Sequence, residues 1–313
     1  MNPFSVVVCT YNSDWDKTRR TLYSIISQKD IDVQIVIADD GSSVNNFDKI
    51  RSYFLSLNFT NYHLVENIQN QGTVKNILSA IPFCTGEFVK GISPGDLFYN
   101  DCSLRNAYDF MCVNSDVSIF FGGACWYNND AGSPVLLKRH APRIVKSYEK
   151  KQFEKNRKRY LLCTDFILGA SLVYKTDVLR RYLNEISPFV KYAEDLLLFP
   201  AFAKSEKIIL ISSMDYLLWY EHGHGISTSN SQKWYDILVT EKKSCYQYLE
   251  KQGFISKKIY DFVYCSSTFK RILFLLVNPD MYIYYWLWRF HIEDGWYRNK
   301  RAEICFLNRW LLS

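Results

Sequence analysis

Five carboxylates in this sequence stand where an apolar run stops. Asp39 and Asp40 follow "IVIA", Asp96 follows "KGISPG", and Glu194 and Asp195 open "AEDLLL". Carboxylates so placed can hold a divalent cation, accept a hydrogen bond from a base or sugar hydroxyl, or take a proton from a nucleophile. A fourth place of interest is "YEHGHGISTS" (220–229), where His222 and His224 sit in a glycine-rich turn suited to metal or phosphate contact. Each group also has a plain structural explanation. Asp before Gly41 makes a turn or caps a helix, which accounts for one aspartate better than for two. Asp96 tips the turn that Pro94 and Gly95 make, although Gly95 also lets the backbone come close to a ligand. At a helix start the macrodipole favours ionised Glu194 and Asp195 by up to about 1 kcal/mol, and taken alone the pair reads as a stabilised first turn.

The elements that must position these groups are regular over the first hundred residues. Apolar strands at 4–9, 33–38, 62–67 and 87–92 alternate with helices at 16–28, 44–57 and 72–81. Fully apolar strands separated by helices predict a parallel sheet covered on both faces, wound right-handed. Ligands in such sheets bind beyond the carboxyl ends of the strands. Those ends carry "TYN" (10–12), "DDGS" (39–42), "ENIQNQG" (66–72) and "SPGD" (93–96), all of them polar or turn-forming.

After about residue 115 the pattern becomes mixed. Strands are expected at 117–128, 133–138 and 169–175, a helix at 193–205, two further strands near 207–222, and helices from 232 onward. The charged stretch 146–160 shows no apolar stripe and predicts a solvated helix or loop. Asn278-Pro279-Asp280 reads as a helix start. The aromatic helix expected after it (281–291) suits either a core or a membrane interface.

Hydrophobic residues make up 48% of the 313, enough for a large core, and the net charge of +6 permits an anionic ligand or surface. The nine cysteines are scattered with no Cys-x-x-Cys pair, which argues against a zinc site or disulfide framework. The N-terminus has no charged region ahead of its apolar run and does not read as a signal peptide. No apolar run reaches the roughly 20 residues of a membrane-spanning helix. The expectation is a cytoplasmic protein, soluble or peripheral on the inner face of the cytoplasmic membrane. No glycine follows the first strand, which disfavours nicotinamide and flavin binding. No phosphate-binding P-loop and no Gly-x-Ser-x-Gly elbow occurs.

In order and spacing, "SVVVCTYN", "IVIADDGS", "NQG" with Lys75-Asn76, "SPGD" and "AEDLLL" resemble glycosyltransferase family 2 of the GT-A fold, over roughly residues 3–230. The resemblance implies an α/β, Rossmann-like, mostly parallel sheet flanked by helices. It divides the chain into a catalytic domain, 1–230, with a nucleotide-binding half (1–115) and an acceptor half (116–230), and a helical C-terminal extension, 231–313. It implies inverting transfer of a sugar from a nucleotide-diphosphate donor, UDP-sugar favoured, with Mn2+ or Mg2+. The expected acceptor is a hydroxyl of a glycan or lipid-linked acceptor in surface polysaccharide synthesis (capsule, O-antigen or lipooligosaccharide), with no nucleic-acid partner.

Residue by residue, the resemblance gives Thr10, Tyr11 and Asn12 to the base, Tyr11 stacking on it, and Asp40 with Asp39 to uracil. It gives Asn70, Gly72 and Lys75 to the nucleotide and donor, Ser93 and Gly95 to the donor, and Asp96 to the metal. Asp195 is then the general base with Glu194 beside it, and His224, in preference to His222, stands near the metal and pyrophosphate. The family's metal motif is commonly Asp-x-Asp-Asp; Ser93-Pro94-Gly95-Asp96 keeps only its last acid. One carboxylate suffices where diphosphate oxygens and waters complete the shell, so the reduced motif predicts substantial metal binding only with nucleotide present. The alternative is a non-catalytic sugar-nucleotide or carbohydrate-binding protein. A sugar-nucleotide pyrophosphorylase is disfavoured because no Gly-rich basic loop follows the first strand.

Overall fold

The structure, a computed structural model, describes residues 3–130, 132–137, 141–211, 216–223, 231–265, 267–279 and 303–313, with Ile283 and Trp286. Its main sheet has seven strands. In sequence order they are β1 (Phe4–Thr10), β2 (Val33–Asp39), β3 (Tyr62–Glu66), β4 (Phe88–Ile92), β6 (Ile119–Phe121), β9 (Leu172–Lys175) and β10 (Ile208–Leu210), arranged β10-β6-β9-β4-β1-β2-β3. β4, β1, β2 and β3 run parallel, and β9 alone is antiparallel to its neighbours.

β1 and β2 are central, so alternate residues face opposite cores. Val6, Val8, Ile35 and Ile37 pack with Leu22 and Ile25 of α1 (Trp15–Ile26) and Phe47, Ile50 and Phe54 of α2 (Phe47–Ser56). Val7, Val36 and Ala38 pack with Val74 and Ile77 of α3 (Thr73–Ala80) on the other face. A period of two in the strands meets the helical spacing on both sides, as a doubly covered sheet requires.

The expected strand 117–128 is two strands. The chain leaves the main sheet at Gly122 and enters a four-stranded sheet as β7 (Gly123–Asn128). β7 lies between β11 (Tyr216–Glu221) and β8 (Val135–Leu137), and β5 (Leu97–Phe98) pairs with β11. This second sheet brings the end of β11 to the turn after β4.

Residues 146–160 are not a solvated stretch. Tyr148 and Tyr160 are fully buried in the main core, and Asn156 and Arg159 are buried beside them. The lysines between them face outward, and two inward tyrosines twelve residues apart do not make a readable stripe.

The C-terminal region is helical but not a separate body. Cys245, Tyr246 and Leu249 of α9 (Gln232–Lys251) lie in the main core. The last helix, Ile304–Leu311, buries Leu307 and Trp310 against Tyr23, Tyr99 and Trp219. Asp101, which reads as a cap for α4 (Ser103–Val113), instead sits 2.8 Å from both Lys29 and Arg309. These two cations hold its carboxyl down at about 2, and the Arg309 pair ties the last helix to the segment ahead of α4. Asn278 closes α11 (Thr268–Val277), and Pro279 beyond it is helical. Most of 281–291 lies outside the described residues, and among the described residues no helix is long and apolar enough to cross a membrane.

Candidate active site

The ends of β1 and β2 are tied together by Asp39. Its carboxylate accepts from Thr10 Oγ1 (2.9 Å), Ser42 Oγ (2.7 Å) and Ser42 N (2.8 Å). Asn12, at φ +46°, donates its N–H to Ser42 Oγ and accepts from Ser43 N and Oγ. Tyr11, between these anchored neighbours, is 50% exposed. Asp40 is buried, and its two oxygens accept the N–H groups of Gln71 and Gly72, both at 2.8 Å. In this state Asp40 is a staple on the loop after β3. The two adjacent aspartates thus have separate duties, each bracing a different loop.

The loop after β3 carries Asn70, half-buried, and Gly72 at φ +89°, before the first turn of α3, where Lys75 is exposed. A Cβ on Gly72 would lie 2.5 Å from the carbonyl oxygen of Lys191, and Val74 N donates to that same oxygen at 3.1 Å. The loop after β3 is therefore pressed against the loop that leads to Glu194 and Asp195.

That second loop is held from α9 by a residue the sequence reading did not single out. Buried Glu241 accepts from Lys191 N (2.9 Å), Tyr192 N (3.0 Å) and Ala193 N (2.9 Å). Nothing in its local pattern sets it apart from other helical glutamates; only the tertiary fold reveals it. Glu194 and Asp195 follow in a single turn, Glu194–Leu197, ahead of α8 (Leu198–Ala203). Asp195 packs against Gly169, whose Cβ, if present, would lie 3.0 Å from that of Asp195. Both carboxylates are half-buried, and burial outweighs the helix start expected to keep them ionised. It raises Glu194 to about 8 and Asp195 to about 6.

Ser93–Asp96 closes a tight turn, Asp96 N donating to Ser93 O at 3.0 Å, with Pro94 second and Gly95 third at φ +107°. This is the type II arrangement, which favours glycine at the third place. Thr21 of α1 fixes it by accepting from Gly95 N and donating to Asp96 O, and Tyr127 OH donates to Gly95 O at 2.6 Å. Asp96 is 5% exposed and accepts Glu221 N at 3.0 Å; burial raises its carboxyl to about 7. Glu221, ending β11, pairs with Lys17 Nζ at 2.7 Å. Below the turn, Lys90 is fully buried, donates to the carbonyls of Gly91 and Ala170, and is lowered to about 8 by burial.

His222 is half-buried, its ring 5.6 Å from that of Trp126. His224 lies outside the described residues. Among the described residues no three His, Cys, Asp or Glu side chains gather to hold a metal. The donor set that is present, hard carboxylate oxygens at Asp96 and Glu221 beside a glycine turn, fits Mg2+ or Mn2+ completed by ligand oxygens. A shallow depression lined by Trp15, Asp48, Lys49, Ser52 and Tyr53, between α1 and α2, carries none of these groups.

A family model described as glycosyl transferase family 2 matches residues 5–183, from the start of β1 into α7 (Thr176–Ile186). The chain belongs to glycosyltransferase family 2. The matched span includes every strand-end motif up to Asp96 and stops before Asp195. No curated protein matches the sequence of this glycosyltransferase. Solved structures share its fold. The first 349 residues of TarS from S. aureus, in complex with UDP-GlcNAc, are 20% identical, with 91% of this chain and 81% of that one covered at a TM-score of 0.54. The mannosyltransferase PcManGT from Pyrobaculum calidifontis, in complex with GDP-Man and Mn2+, is 15% identical, with 92% and 74% covered at a TM-score of 0.54.

Proposed function

We propose that this glycosyltransferase moves a sugar, with inversion, from a nucleotide-diphosphate donor to a hydroxyl of a glycan or lipid-linked acceptor in surface polysaccharide synthesis. The donor is a UDP-sugar in the first instance. The observation that carries the reading is the hydrogen bond from Val74 N to Lys191 O. It brings the loop after β3 and the loop leading to Glu194 and Asp195 together at the carboxyl edge of the sheet.

Tyr11 stacks on the base, and Lys75 faces the donor's phosphates. Asp195 accepts the acceptor's hydroxyl proton as the oxygen attacks the anomeric carbon. The bond from that carbon to the diphosphate oxygen breaks, and the nucleoside diphosphate leaves. A base so placed contributes about 10²–10⁴-fold. Asp96 would hold Mn2+ or Mg2+, which would supply positive charge for the leaving diphosphate. The neighbours' ligands, UDP-GlcNAc for TarS and GDP-Man with Mn2+ for PcManGT, support this class of donor and metal. The test is a screen of UDP-, GDP- and TDP-sugars with Mn2+ for thermal stabilisation and nucleotide release. Saturation at a hundredfold excess over Kd stabilises by about 2.7 kcal/mol. If no sugar nucleotide stabilises the protein or releases its diphosphate, the proposal fails.

A lipid-linked acceptor calls for a membrane-facing surface, and α11 supplies the observation that favours one. Phe269, Ile272, Leu273, Leu276 and Val277 are exposed along a single stripe, while Leu275 and Phe274 pack inward on Phe262. Lys257, Lys258 and Lys270 are exposed nearby. An apolar stripe with basic flanks fits an anionic bilayer surface. The full chain should sediment with vesicles containing anionic lipid, and Phe269→Glu with Leu273→Glu should release it. Sedimentation that ignores both the anionic lipid and these substitutions would refute the surface.

A further inference from the structure

Two of the three acids of the family's metal motif are absent from Ser93-Pro94-Gly95-Asp96, yet the structure places a second carboxylate at that turn. A Cβ built on Gly95 would lie 2.1 Å from Oε2 of Glu221. Glu221 therefore stands where a side chain at position 95 would begin, arriving from β11 rather than from the turn itself. Its position is fixed by its own N–H, which donates to Asp96 Oδ1 at 3.0 Å. Gly95 is doubly required: at φ +107° only glycine is unstrained, and any side chain would displace the Glu221 carboxylate.

The charge arrangement singles out Glu221 further. Its side chain is 9% exposed and its ion-pair partner Lys17, reaching over from α1, is 28% exposed. A carboxylate buried beside another carboxylate needs a cation, and an ammonium on a long flexible stem is a replaceable one. Lys17 can swing towards solvent; Glu221, anchored at its backbone, cannot follow.

We propose that Glu221 takes the place of the missing motif acid and, with Asp96, holds the divalent cation, and that Lys17 neutralises Glu221 until the cation displaces it. This rests on the metal-dependent reading given under Proposed function. It removes the apparent deficit of the Ser-Pro-Gly-Asp motif: two protein carboxylates are as many as Mg2+ usually takes when substrate phosphates and waters supply the rest.

The two members of the Lys17–Glu221 pair should then act in opposite directions. In an ordinary structural ion pair, losing either partner has the same kind of effect. The experiment is Mn2+ binding to the full chain with UDP present, read from the loss of the free Mn2+ electron-spin-resonance signal. UDP affinity is measured separately in EDTA, and thermal unfolding reports folding. Glu221→Gln should weaken Mn2+ binding at least about tenfold, since even outer-shell partners of a metal cost about 10–100-fold, and should leave UDP affinity in EDTA unchanged. Lys17→Met should tighten Mn2+ binding several-fold.

Asp96→Asn is the control. If it abolishes Mn2+ binding while Glu221→Gln and Lys17→Met leave that binding unchanged, the role of Glu221 is refuted and the metal-dependent reading stands. If Asp96→Asn retains full Mn2+ binding, both fall. Should Glu221→Gln fail to fold, Lys17→Met decides alone: tighter Mn2+ binding supports the proposal, and unchanged or weaker binding overturns it.

Discussion

Asp195 and Glu194 are adjacent, and burial raises both carboxyls, Asp195 to about 6. Burial disfavours a charge on both groups at once, and in the function proposed above Asp195 is the one that acts as base. A base works ionised, so kcat/KM should rise with pH through about 6 and level off above it. A steady-state profile with a UDP-sugar checks this; a rate flat down to pH 5 would contradict it. Tyr11→Ala should weaken UDP binding roughly 5- to 150-fold, the equivalent of about 1–3 kcal/mol of stacking, by calorimetry. At this scale the sequence marks the strand-end residues but not their duties. That Asp39 and Asp40 each brace a loop depends on where Ser42 and Gln71 come to lie. Glu221 and Glu241 are invisible locally, because each acts on residues far along the chain, 125 positions away from Asp96 and about fifty from Lys191.

α9 positions the turn that carries the proposed base through one carboxylate. Glu241→Gln keeps the size but loses the charge that three backbone N–H groups share. Hydrogen bonds to a charged group contribute about 1.5–3 kcal/mol each, so Tm should fall by several degrees. In the surviving folded protein kcat should fall while UDP affinity holds, which separates a displaced base from general loosening. The strands and helices of the first hundred residues are legible because both faces of the sheet are covered, making each strand wholly apolar and each helix one-sided. Legibility fails where burial is irregular. Tyr148 and Tyr160 enter the core from a lysine-rich stretch, and β6 and β7 look like one strand because nothing charged or polar interrupts them at Gly122. The docking of the last helix was equally hidden, since Asp101 and Arg309 are joined only by the fold.

Across the whole molecule, the site is maintained against stability. Asp96, Glu194 and Asp195 titrate near 7, 8 and 6 in the folded protein, against about 4 when unfolded. Between about pH 4 and 8 the folded state therefore holds more protons than the unfolded one, and stability falls as pH rises. Lys90, lowered to about 8, acts in the opposite sense only above that window. The free protein should show a lower Tm at pH 8 than at pH 5. Asp96→Asn should raise Tm at pH 8 and differ little at pH 5; equal shifts at both would contradict this. The central claim is that one cleft binds a sugar nucleotide and that Asp195 activates the acceptor. Its most direct test is nucleoside diphosphate release from a UDP-sugar with Mn2+, comparing the protein with Asp195→Asn. The account predicts release by the unaltered protein and a loss of about 10²–10⁴-fold in the variant at unchanged UDP affinity. Equal turnover by the two proteins would contradict it.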